Sequence, residues 1–133
     1  YPAFAPEAMP PELAVDGGRI RSTLLPHGRV EVLGLVFEEE RTGHRLAYYT
    51  DCRQLTEEAY RLAEGADLLV LDALRPDPHP THMTVEEAVA TAQKVGARRT
   101  LFTHMTFMVD HERSSRDLPD GMAFAYDGLR VRL

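Results

Sequence analysis

Cysteine occurs once in the 133 residues, as Cys52, which excludes an intrachain disulfide framework and suits a reducing compartment. No apolar run approaches the ~20 residues that a membrane-spanning helix needs. The opening stretch YPAFAPEAMPPEL has neither the basic region nor the apolar region of a secretory signal. These absences set the expectation of a cytoplasmic protein with no membrane partner. Basic residues are scattered and never form a run, and the net charge is −6, so nucleic acid is disfavoured as a partner. Internal repeats, low-complexity segments and local metal signatures of the H-E-x-x-H type are also missing. What remains is an ordinary globular composition, 44% apolar and 27% charged, long enough for one domain with a core and too short for two.

The chain divides by rhythm. Residues 1–12 carry Pro2, Pro6, Pro10 and Pro11, which predicts an extended lead-in and, as an unusual way to begin a domain, a truncated start. After a Gly17-Gly18 turn, RIRSTLLP (19–26) reads as a strand. VEVLGLVFEEE (30–40), rich in β-branched residues, reads as a second, and RLAYYT (45–50) as the strand returning after a turn at Gly43. Then helices appear. TEEAYRLAEG (56–65) and VEEAVATAQKVG (85–96) each follow a capping threonine, Thr56 or Thr84, and each closes on glycine. Between and after them, ADLLVLDAL and RRTLFTHM are continuously apolar, the pattern of strands covered on both faces. DHERSSRDLPDG is polar with room for one helical turn, and MAFAYDGLRVRL predicts a terminal hairpin about Asp127-Gly128. The order predicts an α/β fold with a mixed sheet and flanking helices.

Several of these apolar strands end on Asp or His. His27 follows RIRSTLLP, Asp51 follows RLAYYT, Asp72 closes LLVLD, and His104 follows RRTLFT. Sites in layered α/β folds collect on loops at the carboxyl edge of the sheet. Imidazole nitrogen and carboxylate oxygen are donors for Zn, Mn or Fe(II). Two such ions ~3.5–4 Å apart polarise a phosphoryl or acyl oxygen and generate hydroxide near neutral pH. His27, Asp51 and His104 therefore form a coherent candidate ligand set. Each also has a plainer reading. His27 reads equally well as a turn residue before Gly28, Asp51 as a turn cap, and His104 as a buried imidazole satisfied by backbone. Asp72, between Leu71 and Ala73, reads as an orienting carboxylate. His82, fixed by Pro80, Thr81 and the helix beginning near Thr84, reads as a proton donor. His79 reads as exposed in its proline-rich loop, His44 and His111 as solvent-facing, and Cys52 as a small buried filler.

LLPHG, LAYYTDC, ADLLVLDALRPDPHPTHMT, ARRTLFTHMT, DHE and LPDGMAFAYDGL together resemble the second half of a metallo-β-lactamase-fold metallohydrolase. The branch it resembles is that of the cyclic-phosphate phosphodiesterases associated with phosphonate breakdown. The resemblance runs from about His27 to the carboxyl terminus. It implies a four-layer αββα sandwich, of which this chain is the carboxyl-terminal portion. It also implies His27 on the first of two divalent metals (Zn or Mn), Asp51 bridging both, His104 on the second, and His82 over the substrate as general acid. The implied activity is phosphodiester hydrolysis of a small molecule by a bridging hydroxide.

Two departures stand out. The family's H-x-H-x-D-H signature is absent, since no histidine precedes His27, and Phe107 stands where relatives carry a further histidine. Residues 1–133 are therefore expected to be a single domain lacking its amino-terminal part, with that part or a second copy as partner. The rival expectations are a metal-free binding module that keeps the fold, or a hydrolase of a thioester or an RNA phosphodiester.

Overall fold

The computed structural model describes residues 5–133; the first four residues of the proline-rich lead-in lie outside them. Residues 5–10 have no regular structure, as expected of a proline-rich segment, but the lead-in ends in a strand the sequence did not announce. This is β1, Glu12–Val15. The strands that follow are β2, Gly18–His27, β3, Val30–Glu39, and β4, Arg45–Tyr49. Then come α1, Glu57–Ala63, β5, Leu68–Asp72, α2, Val85–Val95, and β6, Thr100–Thr103. Last are α3, His111–Ser115, and β7, Met122–Phe124.

All seven strands form one sheet whose spatial order is the chain order. β1 to β4 pair antiparallel through hairpins, whereas β4, β5, β6 and β7 run parallel. The expected terminal hairpin does not form. β7 pairs with β6 instead, Ala125 N–H extends that ladder to Phe102 O, and Asp127-Gly128 is a turn that no second strand follows. MAF finds its backbone partners along the open edge of β6.

Alternation along the strands builds the core. Leu25, Val36, Ala47, Tyr49, Leu69, Leu71, Phe102 and Phe124 are buried on one face, against Ala59 and Ala63 of α1 and Ala88, Ala92 and Val95 of α2. Alanine on the helix stripes lets the helices approach the sheet closely, and each large side chain so buried contributes roughly 1.5–3 kcal/mol. Both helices start as their sequences predict. The Thr56 hydroxyl accepts from Ala59 N–H, and Thr84 forms a capping box with Glu87. The opposite face is different. The pairs Leu24↔Leu33, Phe37↔Leu46 and Leu35↔Tyr48 lie on it, and Leu24 and Leu33 are each 49% exposed. Of the expected four-layer sandwich, this chain forms one sheet with its helical layer. No helix of the described residues is long and apolar enough to cross a membrane.

Gly34 of β3 leaves the space in which Leu25 of β2 and Tyr49 of β4 pack. A Cβ there would lie 2.8 Å from both Leu25 Cδ1 and Tyr49 Cδ1, so the two buried side chains meet over a bare backbone. Gly34→Ala is expected to lower the unfolding free energy by about 1–3 kcal/mol through overpacking. Chemical denaturation would measure this, and an unchanged midpoint would show that the neighbours yield freely.

Candidate metal centre

β2 is antiparallel to β3, and β3 to β4, so β2 points the same way as β4, β5 and β6. Their carboxyl ends therefore lie along one edge of the sheet, and that edge is where the polar strand ends collect. His27 is the last residue of β2 and Asp72 the last of β5, while Asp51 and His104 follow β4 and β6 by one or two residues.

Backbone links hold the edge together. Arg53 N–H donates to Pro26 O at 2.8 Å, tying the loop after β4 to the end of β2. Ala73 N–H donates to Thr103 O, Leu74 N–H to Met83 O, and Thr106 N–H to Leu74 O, knitting the loops after β5 and β6. Asp51 and His104 both have left-handed backbone, with φ of 55° and 62°, and they are the only such non-glycine residues described. That conformation costs roughly 1–3 kcal/mol at a residue bearing a Cβ, and persists where the surroundings enforce it.

One donor atom each from Asp51, His82 and His104 lies within 4.8 Å of the others. His104 Nε2 is 3.2 Å from Asp51 Oδ1, and the His104 ring stacks on His82 with centroids 4.8 Å apart. The His27 ring meets His82 edge-on at 4.7 Å. The three expected ligands thus share one edge with the expected proton donor, and His82 is the imidazole around which the others gather. His79 joins them with its centroid 5.1 Å from His82. It is half-buried, not the exposed loop residue the sequence suggested. The signal was its place three residues before His82 in a segment stiffened by prolines. His44 is likewise half-buried, and His111, though exposed, leans on Phe124. Phe107 is 98% exposed and offers no donor atom.

The partners fix which nitrogen of each ring carries the proton. His82 Nδ1 lies 2.7 Å from Asp72 Oδ2, so Nδ1 donates and Nε2 is left free. His27 Nδ1 faces the Thr81 carbonyl at 3.2 Å, again leaving Nε2. Asp72 is the orienting carboxylate the sequence suggested. It is fully buried, its Oδ2 also accepts from Cys52 N–H at 2.9 Å, and its Oδ1 has no hydrogen-bond partner. Burial pushes the Asp72 carboxyl up to about 7, against the opposing pull of His104 and of the Cys52 N–H. Burial, aided by the nearby His27, lowers His82, and burial with Arg75 lowers His79. Cys52 is fully buried and its thiol is raised by desolvation, so it is inert filler.

Imidazoles with a free Nε2 and a carboxylate are a donor set that fits a divalent transition metal. The buried Asp72 behind His82 supplies the outer support that such ligands use. The residues whose donor atoms converge, Asp51, His82 and His104, therefore fit a metal, a group that does not include the expected ligand His27.

The family description "Beta-lactamase superfamily domain" matches residues 7–105. A solved diphosphatase from the PhnP family superimposes with a TM-score of 0.84 at 34% identity, covering 92% of this chain and 46% of that one. An octanoyltransferase of Porphyromonas gingivalis (strain ATCC BAA-308 / W83) is 29% identical over 107 residues, 79% of this chain and 20% of its own length. A ribonuclease Z of Gemmatimonas aurantiaca (strain DSM 14586 / JCM 11422 / NBRC 100505 / T-27) is 28% identical over 121 residues, 83% of this chain and 38% of its own. The chain thus spans between about a fifth and two fifths of the length of these curated relatives.

His104→Gly relieves a left-handed backbone while removing a donor. The metal-free protein is expected to keep its stability within about 1 kcal/mol, since relief of strain offsets lost packing. Zinc affinity, measured by chelator competition, should fall at least tenfold. A large loss of stability with unchanged zinc affinity would make His104 a structural residue.

Proposed function

The chain belongs to the β-lactamase superfamily domain family, with the mixed sheet and flanking helices of the metallo-β-lactamase fold, and from that premise we propose that it is the carboxyl-terminal part of a metal-dependent phosphodiesterase. The observation that carries this reading is the convergence of Asp51, His82 and His104 donor atoms within 4.8 Å, from three separate loops. The 34% identity to a PhnP-family diphosphatase supports a substrate that reacts at phosphorus. Similarity to a ribonuclease Z favours RNA as a second reading, but the net charge of −6 argues against a polyanion.

His27, Asp51 and His104 would hold two divalent ions, zinc or manganese. Bound there, the ions would polarise the phosphoryl oxygen and supply hydroxide near neutral pH. The chain's own contribution is a proton. Hydrolysis replaces an alkoxide on phosphorus with hydroxide, and the departing oxygen must be protonated. His82 is supported for this role because its Nδ1 is held by Asp72 Oδ2 at 2.7 Å, which leaves Nε2 free to carry the transferred proton. General acid catalysis of this kind contributes roughly 10²–10⁴-fold.

The exposed apolar sheet face supports the other half of the proposal. Soluble monomers rarely leave contiguous apolar surface bare. A segment of the same protein bearing H-x-H-x-D-H would cover Leu24, Leu33, Leu35 and Tyr48 and complete the ligand set. The absence of other cysteines suits the cytoplasm.

His82→Ala is expected to lower kcat by about 10²–10⁴-fold with metal content unchanged by elemental analysis. Loss of metal in that variant would put His82 in the ligand set and overturn the proton-donor role. Intact mass with light scattering tests the covered face. A polypeptide well above 14.9 kDa is expected; a non-covalent dimer of 14.9 kDa chains would put a second copy there, and a lone 14.9 kDa particle would refute a covered face.

A further inference from the structure

One imidazole at the edge has no part in the reaction as described. His79 sits in the loop between β5 and α2, and that loop is held more firmly than loops usually are. Pro76, Pro78 and Pro80 each fix a backbone angle. Arg75 Nε donates to Asp77 O at 3.2 Å and its Nη2 to Pro78 O at 2.9 Å, closing the loop on itself. Thr81 then fixes the ring. Its backbone N–H lies 3.4 Å from His79 Nδ1 and its Oγ1 3.2 Å from the same atom.

A backbone N–H can only donate, so His79 Nδ1 accepts, and the neutral ring carries its proton on Nε2. The Thr81 carbonyl can only accept, and it faces His27 Nδ1 at 3.2 Å, so His27 carries its proton on Nδ1. One residue therefore imposes opposite tautomers on two neighbouring imidazoles. His27 presents a lone pair, as a ligand must. His79 presents an N–H, which a ligand cannot, and its ring lies 5.1 Å from that of His82.

We propose that His79 binds substrate, its Nε2–H donating a hydrogen bond to a non-bridging oxygen of the phosphoester beside the metal ligands. The inference rests on the phosphodiesterase reading. A donor already held in place loses little conformational entropy on binding, so nearly all of its hydrogen-bond energy reaches the substrate.

The test uses the full-length, metal-loaded protein and bis(p-nitrophenyl) phosphate. His79→Ala should lower kcat/KM about 10- to 100-fold, the range for a hydrogen bond to a charged group, with metal content and Tm unchanged. His79→Gln, which keeps an N–H donor, should recover part of the loss; a merely structural role would show no such rescue. Nitrogen NMR of the metal-free protein should find His79 protonated on Nε2 and His27 on Nδ1. Activity of His79→Ala within twofold of the parent, or His79 protonated on Nδ1, overturns the inference while leaving the phosphodiesterase reading standing. A parent inert on every phosphodiester overturns that reading and this inference with it.

Discussion

Strand direction is the constraint on which the site depends. β2, β4, β5 and β6 point the same way, so four carboxyl ends share one edge of the sheet. Residues 27, 51, 72, 82 and 104 are far apart in sequence, and only this alignment gathers them. The antiparallel β3 lies between β2 and β4, and over it Gly34 leaves the space in which the side chains of Leu25 and Tyr49 pack.

Above that edge, buried polar groups set orientation. Asp72 lies beneath His82 with no exposure to water, where an unpaired carboxylate would be strongly disfavoured. It is accommodated by two donors, the Cys52 N–H and His82 Nδ1, and both belong to the site or its immediate flank. Thr81 performs a similar task from the rim through its main chain. Gly28, with φ of 66°, comes so close to Thr81 Cγ2 that a Cβ would lie at 2.6 Å, which fixes the His27 turn against the same residue. The two left-handed non-glycine residues, Asp51 and His104, both belong to the candidate ligand set.

The two faces of the sheet make different demands. One is closed by α1 and α2 over alanine-lined stripes. The other keeps leucine and tyrosine pairs in contact with solvent, a pattern of alternating apolar residues on both sides that a sheet covered only once does not require. The run VEVLGLVF carries this information in one line. Val32, Gly34 and Val36 face the helices, and Leu33, Leu35 and Phe37 face away.

The amino-acid sequence by itself determined the elements whose signals are local. These are the capped helices after Thr56 and Thr84, the buried strands LLVLD and TLFT, and the polar residues at their ends. Local signals suffice there because capping, periodicity and turn chemistry act within a few residues. The sequence overstated the terminal hairpin and missed β1, since both depend on which strand edge is available, and that is a property of the assembled sheet. It named His27, Asp51, Asp72, His82 and His104 as candidates but left a plain alternative for most of them. Only the tertiary structure decided that they meet, because convergence comes from strand order and direction. His79 passed for an exposed loop residue for the same reason. Its neighbours in space, His82 and the Thr81 peptide, set its tautomer, and hydrogen bonds across a folded loop leave no periodic trace in the chain.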